Sequence, residues 1–556
     1  MSGARVHILR FSPRAVAQWQ SANFCAGEDN HLHITVRGRL GSPCLVVNDC
    51  IGGQWGAEWH LPLTAAEAVG PEVEVRFTEI SAEVGLAGGP LRAFRPGASL
   101  PPRLEARHGP EITALSVPDP EGEGSGVSWA TAPLRLRLGL VLPTPAGLLL
   151  QGWLADPGSA IARIALRRED AEWPISPDAW LDTPDFDADG GRGFVAFAPG
   201  APRAGSSVEA TLHSGEVARF PLPAGLSSLR AMLAAAGPLP DGAVGRAFDQ
   251  VLGPPLLALH RETLARPMTV EERRFGTQPS APRASVIIPL HGRLDMLDVQ
   301  MALFSACRME ADEVVFVLDD PPLRAAALAA AQSAWERFAV PLRLILPARS
   351  RGFGPACNLG LHRSGGRSVV FLNADAFPQG TDWLDRLVAA LAEPMVGAAG
   401  ARLLYPDGSL QHGGMRIEAA PCGWRFPEHP DKGLRPPEAG TAPRDVEALT
   451  GACLALRRDV AERFGGFSED YVIGDFEDAD LCARLRAEGL RCVMEDRATL
   501  VHLERQSQGR ADEVAWRWNL TLLNAWIYNR RFGRQGRGAD PSGTQAGSSA
   551  SSTSGQ

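Results

Sequence analysis

The chain has 556 residues, of which 45% are hydrophobic and 21% charged, which suits about two to four ordinary globular domains. Its net charge of −9 argues against general nucleic-acid binding. No run of about 18 apolar residues would span a membrane, and the N-terminus lacks the apolar core of a signal peptide. Nine scattered cysteines without a C-x-x-C pair indicate reduced thiols. We therefore expect a cytoplasmic protein, with peripheral association at the inner face of the membrane only through an acceptor or a partner protein.

The first 220 residues or so predict β-strands. Short runs in which apolar and polar residues alternate are separated by clusters of Gly, Pro and Asp, a pattern typical of antiparallel sandwiches or barrels. A stretch rich in Pro, Gly and Glu, 90–127, divides these runs into two groups. We predict a β-rich domain over 1–128 and a sandwich-like domain over 129–222. The clearest runs are 31–40, 73–80, 134–142, 148–155 and 161–168.

The pattern becomes helical after the strands, and 223–283 are predicted to form a helical connector. From residue 284 short apolar strands alternate with helices, which indicates a mostly parallel sheet with helices on both faces. We assign 284–535 to this multidomain chain's C-terminal α/β domain. The remaining residues, 536–556, are rich in small and polar side chains and are predicted to be a disordered tail.

Two acidic segments stand out in the α/β region. The apolar strand 369–372 runs directly into Asn373-Ala374-Asp375, and a buried parallel strand that ends in a carboxylate can hold a cation or phosphate at the sheet edge. The second segment, GDFEDADL, spans 474–481, and His502 follows Asp478 by 24 residues. A metal-holding carboxylate, a candidate base and a candidate histidine ligand are the groups that metal-assisted transfer from a diphosphate needs.

Six segments, in order, make 284 to about 530 resemble the inverting glycosyltransferases of family 2, with a GT-A fold and similarity to rhamnosyl- and galactosyltransferases. The N-terminal half is not covered by this resemblance. The family's Tyr-Asn after the first strand is Leu290-His291 here, and the first Asp of its Asp-x-Asp motif is Asn373. The segments are SVIIPLHGR, EVVFVLDDP, RGFGPACNLGL, FLNADAFP, LLYPDGSLQHGG and LTGACLALRRDVAERFGGFSEDYVIGDFEDADLCARLRAEG.

The resemblance implies a nucleotide-diphosphate-sugar donor and a divalent cation, Mn²⁺ or Mg²⁺, which stabilises the charge on the departing diphosphate. Asp375 and His502 are the implied metal ligands, and Asn373 is expected to hydrogen-bond ribose or phosphate. A structural histidine in a turn after a strand is the alternative interpretation of His502.

Asp478 is the implied general base, which takes the proton of the acceptor hydroxyl on the face opposite the leaving group, and Glu477 is expected to shape the site beside it. Acidic residues at the start of a helix also interact favourably with the helix dipole, so capping is the alternative interpretation of this cluster.

Nucleotide binding is expected in the first half of the domain. Backbone groups of Pro289 and Leu290 would line the base or ribose pocket, and Asp319 would accept a hydrogen bond from base or ribose. Further along, the backbone at two glycines would approach the donor, and one asparagine would point inward from its helix. These residues are Gly352, Gly354 and Asn358. Plain turn chemistry is the alternative for Asp319 and for the glycines.

The leading hypothesis is a glycosyltransferase that builds a cell-surface or secreted polysaccharide on a glycan or glycolipid acceptor. A nucleotidyltransferase would need a basic glycine-rich loop after the first strand, where only Arg293 is present. A non-catalytic carbohydrate-binding protein would not need the acidic and histidine residues. The segment 416–446 is a candidate lid or acceptor wall. Trp516, Trp518 and Trp526 are predicted to pack in the core of a helical region, and stacking of their rings on sugars is the alternative interpretation.

Overall fold

The computed structural model describes most of residues 134–533 and, before them, mainly strands. Between 134 and 533 it does not describe 157–160, 187–190, 205, 214–216, 308, 310 and 505–513. Before 134 it describes 5–11, 21–25, 31–37, 43–51, 54–55, 57–64, 67, 71–77, 82–87, 90, 92–94, 105–108 and 112–117. The predicted border at 128/129 and the predicted tail over 536–556 lie outside the described residues.

Two antiparallel sheets form in the first part of the chain, with strand orders β11-β1-β7-β8-β9 and β10-β2-β3-β4-β5, and β6 also pairs with β4. Leu9 and Val75 of the first sheet pack with Phe24, Ile34 and Val47 of the second in one apolar core. The strands are β1 Arg5–Phe11, β2 Ser21–Cys25, β3 His31–Arg37, β4 Cys44–Ile51, β5 Gln54–Trp55, β6 Trp59–Pro62, β7 Glu72–Phe77, β8 Ala82–Leu86, β9 Arg92–Phe94, β10 Glu105–His108 and β11 Ile112–Val117.

A second pair of antiparallel sheets follows, with orders β12-β13-β17-β16 and β15-β14-β18-β19. Leu148 and Phe194 from one sheet meet Leu166 and Val208 from the other in a separate core. The strands are β12 Arg135–Thr144, β13 Gly147–Ala155, β14 Ile161–Arg168, β15 Ala171–Pro174, β16 Trp180–Phe186, β17 Arg192–Pro199, β18 Ser207–Leu212 and β19 Val217–Pro221. The N-terminal half is thus β-rich as predicted, while the predicted domain bounds stay a prediction.

Helices connect these sheets to the C-terminal part. The hydroxyl of Ser228 caps the first helix by accepting a hydrogen bond from the backbone N–H of Ala231 (3.1 Å). Phe248 and Leu256 pack in one core with Leu149 of β13 and Trp526 near the C-terminus. The connector contains α1 Leu229–Ala235, α2 Asp241–Arg246, a π-helical segment Ala247–Leu252 and α3 Gly253–Ala265. The predicted connector also contains a strand, β20 (Val270–Phe275), which joins the edge of the C-terminal sheet.

The C-terminal sheet has the order β20-β23-β22-β21-β24-β31-β26-β32-β25, with β27 paired to β26 and β30 to β32. Strands β21 to β24, β26 and β32 run in one direction, so this sheet is mostly parallel as predicted. Strands β28 and β29 form a separate ribbon. The strands are β21 Ala284–Leu290, β22 Glu313–Leu318, β23 Leu342–Pro347, β24 Ser368–Leu372, β25 Ala376–Pro378, β26 Val396–Leu404, β27 Leu410–His412, β28 Arg416–Ala419, β29 Arg425–Glu428, β30 Arg444–Val446, β31 Cys453–Arg457 and β32 Arg491–His502.

Helices cover both faces of this sheet. Successive residues of its strands therefore point into two different cores. Val286 and Ile288 face one core, and Ile287 between them faces the other. None of the described helices is long and apolar enough to cross a membrane. The helices are α4 Asp295–Ala306, a 3₁₀ turn Pro321–Leu323, α5 Arg324–Phe338, α6 Phe353–Arg363, α7 Trp383–Ala390, α8 Arg458–Arg463, α9 Glu477–Ala487 and α10 Val514–Phe532.

Candidate active site

A cavity of about 880 Å³ lies at the carboxyl ends of β21, β22 and β24, where parallel strands bring their following loops together. The turn before α9 and part of α10 close it from the other side. Its lining includes seven of the residues predicted from the sequence: Pro289, Asp319, Gly352, Asn373, Asp375, Glu477 and Asp478. His502 lines an adjoining groove, and Leu290, Gly354 and Asn358 line neither space.

Asp375 and His502 form the first half of the site. His502 Nδ1 lies 2.7 Å from the side-chain oxygen of Gln411, to which a protonated Nδ1 donates. The lone pair of Nε2 then faces Asp375, whose Oδ1 lies 3.1 Å from it. Asn373 Nδ2 lies 3.2 Å from the same nitrogen, and the buried Asn373 Oδ1 has no hydrogen-bond partner among the described residues.

This donor set fits a small divalent cation. Two ligands about 2.1 Å from an octahedral cation, at right angles to each other, are about 3 Å apart. The carboxylate oxygen and the imidazole nitrogen are separated by 3.1 Å. Within the described part of the chain, no three His, Cys, Asp or Glu side chains group around one point as a complete metal site. The protein therefore offers two ligands there, and a diphosphate or water would supply the others.

Asp319 follows β22 and is almost fully buried. Its Oδ1 accepts from the backbone N–H of Arg351 (2.7 Å), and its Oδ2 accepts from Gly352 N–H and the hydroxyl of Ser350, both at 2.9 Å. Burial raises the pKa of this carboxyl above its usual value, against the lowering effect of these hydrogen bonds. The carboxylate therefore fixes the turn that leads into α6, and its expected contact with base or ribose stays a prediction.

The backbone of another segment lies so close to Gly352 that a side chain at this position would collide with it. The φ of Gly352 is +97°, and a Cβ at this position would lie 2.8 Å from the carbonyl oxygen of Ile473. The neighbour that approaches Gly352 is thus the turn before α9, and its expected approach to the donor stays a prediction. A Cβ at Gly354 would make only ordinary contact with Phe467, at 3.4 Å.

Two of the predicted nucleotide-binding residues lie outside the lining of the cavity. Asn358 is buried and bonded to the backbone of Phe467, whose N–H it accepts at 2.9 Å and to whose carbonyl it donates at 2.8 Å. The side chain of Leu290 is fully buried in the core on one face of the sheet, and its backbone carbonyl accepts from the N–H of Asp319 at 2.8 Å. The expected backbone contact of Leu290 with the nucleotide stays a prediction. The inward direction of Asn358 is correct, but its side chain supports the 467–469 loop and does not reach the cavity.

The turn before α9 forms the second half of the site and has an unusual backbone. Ile473, Asp475 and Phe476 have φ values of +63°, +83° and +73°. Such values are rare for residues other than glycine and unfavourable for a β-branched residue, so strain is concentrated here. Asn524 of α10 holds the turn: its side chain accepts from Val472 N–H (2.9 Å) and donates to the carbonyls of residues 472 (3.1 Å) and 474 (2.5 Å).

Two carboxyl groups follow at the start of α9. Asp478 accepts from the backbone N–H of Gly451 (2.8 Å) and of Ala479 (2.7 Å), and burial raises its pKa. Glu477 is 5% exposed, and its Oε2 has no hydrogen-bond partner among the described residues. Burial, followed by the charge of Asp478, holds the pKa of Glu477 well above its usual value. Helix capping does not account for a buried carboxylate oxygen without a partner, and such oxygens are more common at functional sites.

The third acid of this helix start is structural. Asp480 is fully buried and accepts from Arg484 Nε (2.6 Å), Arg531 Nη1 (2.7 Å) and the hydroxyl of Tyr471 (3.0 Å). Its charge is thus neutralised by two guanidinium groups. This explains part of the acidic cluster without reference to a ligand.

A histidine pair lies beside the cavity and was not singled out from the sequence. His412 Nδ1 and His429 Nδ1 are 3.0 Å apart, and His429 lines the cavity. Burial lowers the pKa of His429 from 6.5 to about 4, so this ring is uncharged at neutral pH. His412 lies in the segment 403–414, which resembles the family, and His429 lies in the candidate lid 416–446, but the sequence assigned neither histidine a role.

A larger groove of about 1740 Å³ adjoins the cavity. The two spaces share Asn373 and Asp375 as well as the turn before α9 and Trp518 of α10. The other side of the groove is formed by the β12–β13 turn, the start of α1 and the end of α3. The connector and the second pair of sheets therefore contribute directly to the surroundings of Asp375.

Residues 285–465 match the model of the family described as Glycosyl transferase family 2. The C-terminal half is therefore a family 2 glycosyltransferase domain, which confirms the family predicted from the six segments.

Two relatives have informative names. The chain is 34% identical over 243 residues to the O-antigen biosynthesis protein RfbC of Myxococcus xanthus, which covers 42% of this chain and 18% of that protein. It is 30% identical over 211 residues to the N-acetylglucosaminyl-diphospho-decaprenol L-rhamnosyltransferase of Mycobacterium tuberculosis, which covers 32% of this chain and 64% of that protein. The chain thus spans less than two thirds of the length of either relative.

Similar solved structures include the mannosyltransferase PcManGT from Pyrobaculum calidifontis in complex with GDP-Man and Mn²⁺. The TM-score is 0.30 at 18% identity, over 56% of this chain and 88% of that chain. GalNAc-T7 with UDP, GalNAc and Mn²⁺ has a TM-score of 0.33 at 16% identity, over 40% of this chain and 44% of that chain. At these scores the similarity supports no statement about the site.

Proposed function

We propose that this protein is a metal-dependent inverting glycosyltransferase with a GT-A fold. It moves a sugar from a nucleotide-diphosphate donor to a glycan or glycolipid acceptor in the synthesis of a cell-surface or secreted polysaccharide. One observation carries the proposal: a single cavity is lined both by Asp375, which lies 3.1 Å from His502, and by the partly buried carboxyl group of Asp478. The family match over residues 285–465 and the name of the O-antigen biosynthesis relative support it.

Asp375 Oδ1 and His502 Nε2 would hold the divalent cation. The cation, when bound, supplies positive charge that offsets the negative charge on the departing diphosphate. Gln411 fixes the tautomer of His502, because its side-chain oxygen accepts from Nδ1 and its Nε2 donates to the histidine carbonyl at 3.1 Å. Asn373 places an amide beside this pair, where it can donate to a phosphate or ribose oxygen.

Asp478 is the general base of the proposed reaction. The acceptor hydroxyl transfers its proton to the Asp478 carboxylate while its oxygen forms a bond to the anomeric carbon. The bond from that carbon to the diphosphate oxygen breaks at the same time, and the nucleotide diphosphate leaves with the electron pair. Because burial raises the pKa of Asp478, its carboxylate is a stronger proton acceptor than an exposed aspartate.

A thermal-shift screen against UDP-, GDP- and dTDP-sugars, with and without Mn²⁺, tests the proposal. A ligand that binds the native state raises the melting temperature by mass action. We expect one nucleotide class to give a shift that depends on Mn²⁺, and Asp375→Asn to lose that dependence. Asp459→Asn, on the exposed surface of α8, is the matched control and should behave as the unmodified protein. No shift from any donor on folded protein would contradict the proposed function.

A further inference from the structure

The groove is lined in part by large apolar side chains that are exposed to solvent. Seven such side chains of the described residues are exposed, and Leu226, Ile473 and Trp518 among them line this groove. Trp518 is the only aromatic residue of the seven, and its side chain borders both the groove and the cavity. An exposed tryptophan next to a proposed sugar-transfer site needs a physical explanation.

The structure holds Trp518 in a fixed position. Its ring stacks on Phe426, with centroids 6.3 Å apart and an angle of 13° between the planes. Asn519, the next residue, is fully buried and donates to the carbonyls of Leu233 and Gly237, both at 2.8 Å, which ties α10 to α1. A supported, partly exposed aromatic ring loses little conformational freedom when a ligand binds to it.

The groove combines this ring with polar side chains. Thr263, Glu262 and Arg266 of the connector and Arg517 of α10 lie along it. The face of an indole ring carries negative charge density, which attracts the C–H groups on the face of a sugar ring. Hydroxyl and charged side chains around such a ring can hydrogen-bond the sugar hydroxyls. At about 1740 Å³ the groove exceeds the roughly 300–1,000 Å³ of a site for a drug-sized ligand, which suits an oligosaccharide.

We propose that Trp518, supported by Phe426, is the platform on which a sugar ring of a glycan acceptor stacks. The acceptor chain then lies in the groove between the second pair of sheets and the transferase domain. Because Trp518 borders both the groove and the cavity, the terminal hydroxyl of this chain reaches Asp478 in the cavity. This inference rests on the proposed function and names the substrate class and a specificity-determining residue of the same site.

Isothermal titration with four defined probes tests this proposal: rhamnotetraose, mannotetraose, maltotetraose and cellotetraose. We expect the unmodified protein to bind at least one of them, Trp518→Ala to weaken that binding about tenfold, and Trp518→Phe to retain most of it. Met395→Ala, which removes an exposed apolar side chain outside both spaces, is the matched control and should bind normally.

Donor binding, measured on the same variants by the Mn²⁺-dependent thermal shift, separates the two proposals. Unchanged donor binding together with weakened oligosaccharide binding in Trp518→Ala would support the platform. Equal oligosaccharide affinity in Trp518→Ala and the unmodified protein, or no binding of any of the four probes by the unmodified protein, would overturn it. If the unmodified protein shows no Mn²⁺-dependent donor binding, the proposed function is contradicted. The affinities of the unmodified protein and of Trp518→Ala for the oligosaccharides would still support or overturn the platform.

Discussion

The two walls of the cavity are built in different ways. The wall with Asp375 and His502 uses the ends of regular strands, and Ala376 at the start of β25 pairs directly with His502 at the end of β32. The wall with Glu477 and Asp478 follows a turn with three non-glycine residues at positive φ. The first wall is therefore positioned by the sheet, and the second depends on contacts made by other parts of the chain.

The contacts of the second wall come from far along the sequence. Asn524 is 52 residues from Val472, to which it is bonded, and Phe353 N–H donates to the Ile473 carbonyl at 2.6 Å. Each strained backbone residue costs on the order of 1–3 kcal/mol, so these hydrogen bonds are needed to keep the turn in place. The wall with Asp375 and His502 should therefore tolerate the loss of these contacts from α10, and the wall with Glu477 and Asp478 should not.

The strongest loss of activity is expected when the proposed base is removed and the proposed metal ligands are kept. Asp478→Asn removes the proposed base and should lower the rate of sugar transfer by a factor of about 10² to 10⁴, while Mn²⁺-dependent donor binding remains. Transfer rate and thermal shift measure these two results. Asp475→Asn in the same turn is the control, because asparagine tolerates positive φ, and its rate should stay within a few-fold. Full transfer activity in Asp478→Asn would remove this residue from the base role.

A smaller loss of activity is expected when the hydrogen bonds that hold the turn before α9 are removed. Asn524→Ala leaves the buried N–H of Val472 without its partner and should reduce the free energy of unfolding by about 1–3 kcal/mol. The rate of donor hydrolysis should also fall, because Asp478 follows the released turn. Asn519→Ala is the matched control on the same helix: it should destabilise the protein to a similar extent and keep its hydrolysis rate. If both variants lose the same fraction of activity, α10 has no specific role in the base wall.

The smallest effect concerns Glu477 and pH. The pKa of Glu477 in the folded protein lies well above the usual 4.5. Between these two pKa values the folded state keeps a proton that the unfolded chain has released. Stability contributed by this group is therefore lost as the pH rises above 4.5 towards the folded-state pKa. Glu477→Gln should be more stable than the unmodified protein at pH 8, by about 1 kcal/mol, with a smaller difference near pH 4.5.

Chemical denaturation at several pH values measures this difference. Glu488→Gln, an exposed change at the end of the same helix, is the control and should leave the pH dependence as it is. Parallel stability curves for Glu477→Gln and the unmodified protein would contradict the assignment of a buried, protonated carboxyl group.

The sequence could place both walls at one sheet edge, because alternating strands and helices predict where the carboxyl ends of parallel strands meet. Asp375 and Asp478 were located in this way and by their motifs. Neither motifs nor strand ends predict that Asn358 bonds to Phe467 or that Gly352 contacts Ile473. Both partners lie more than a hundred residues further along the chain. Positive φ at residues that are not glycine leaves no local sequence signal.

The C-terminal helix shows where a sequence signal was available. Trp516 and Trp526 are buried as predicted, whereas the prediction that Trp518 packs in the core is wrong, because this residue is 53% exposed. Residues two positions apart on a helix point in different directions, so Trp516 and Trp518 need not share one environment. Only the structure shows that Trp518 is the exposed one and that it borders the cavity.

In the proposed reaction Asp478 activates the attacking hydroxyl group for a single displacement at the anomeric carbon. NMR spectroscopy of the sugar released when water replaces the acceptor tests it directly, if spectra are recorded before the two anomers interconvert. We predict the anomer opposite to that of the donor. Release of a sugar that keeps the donor's configuration would show an even number of displacements and would contradict the claim.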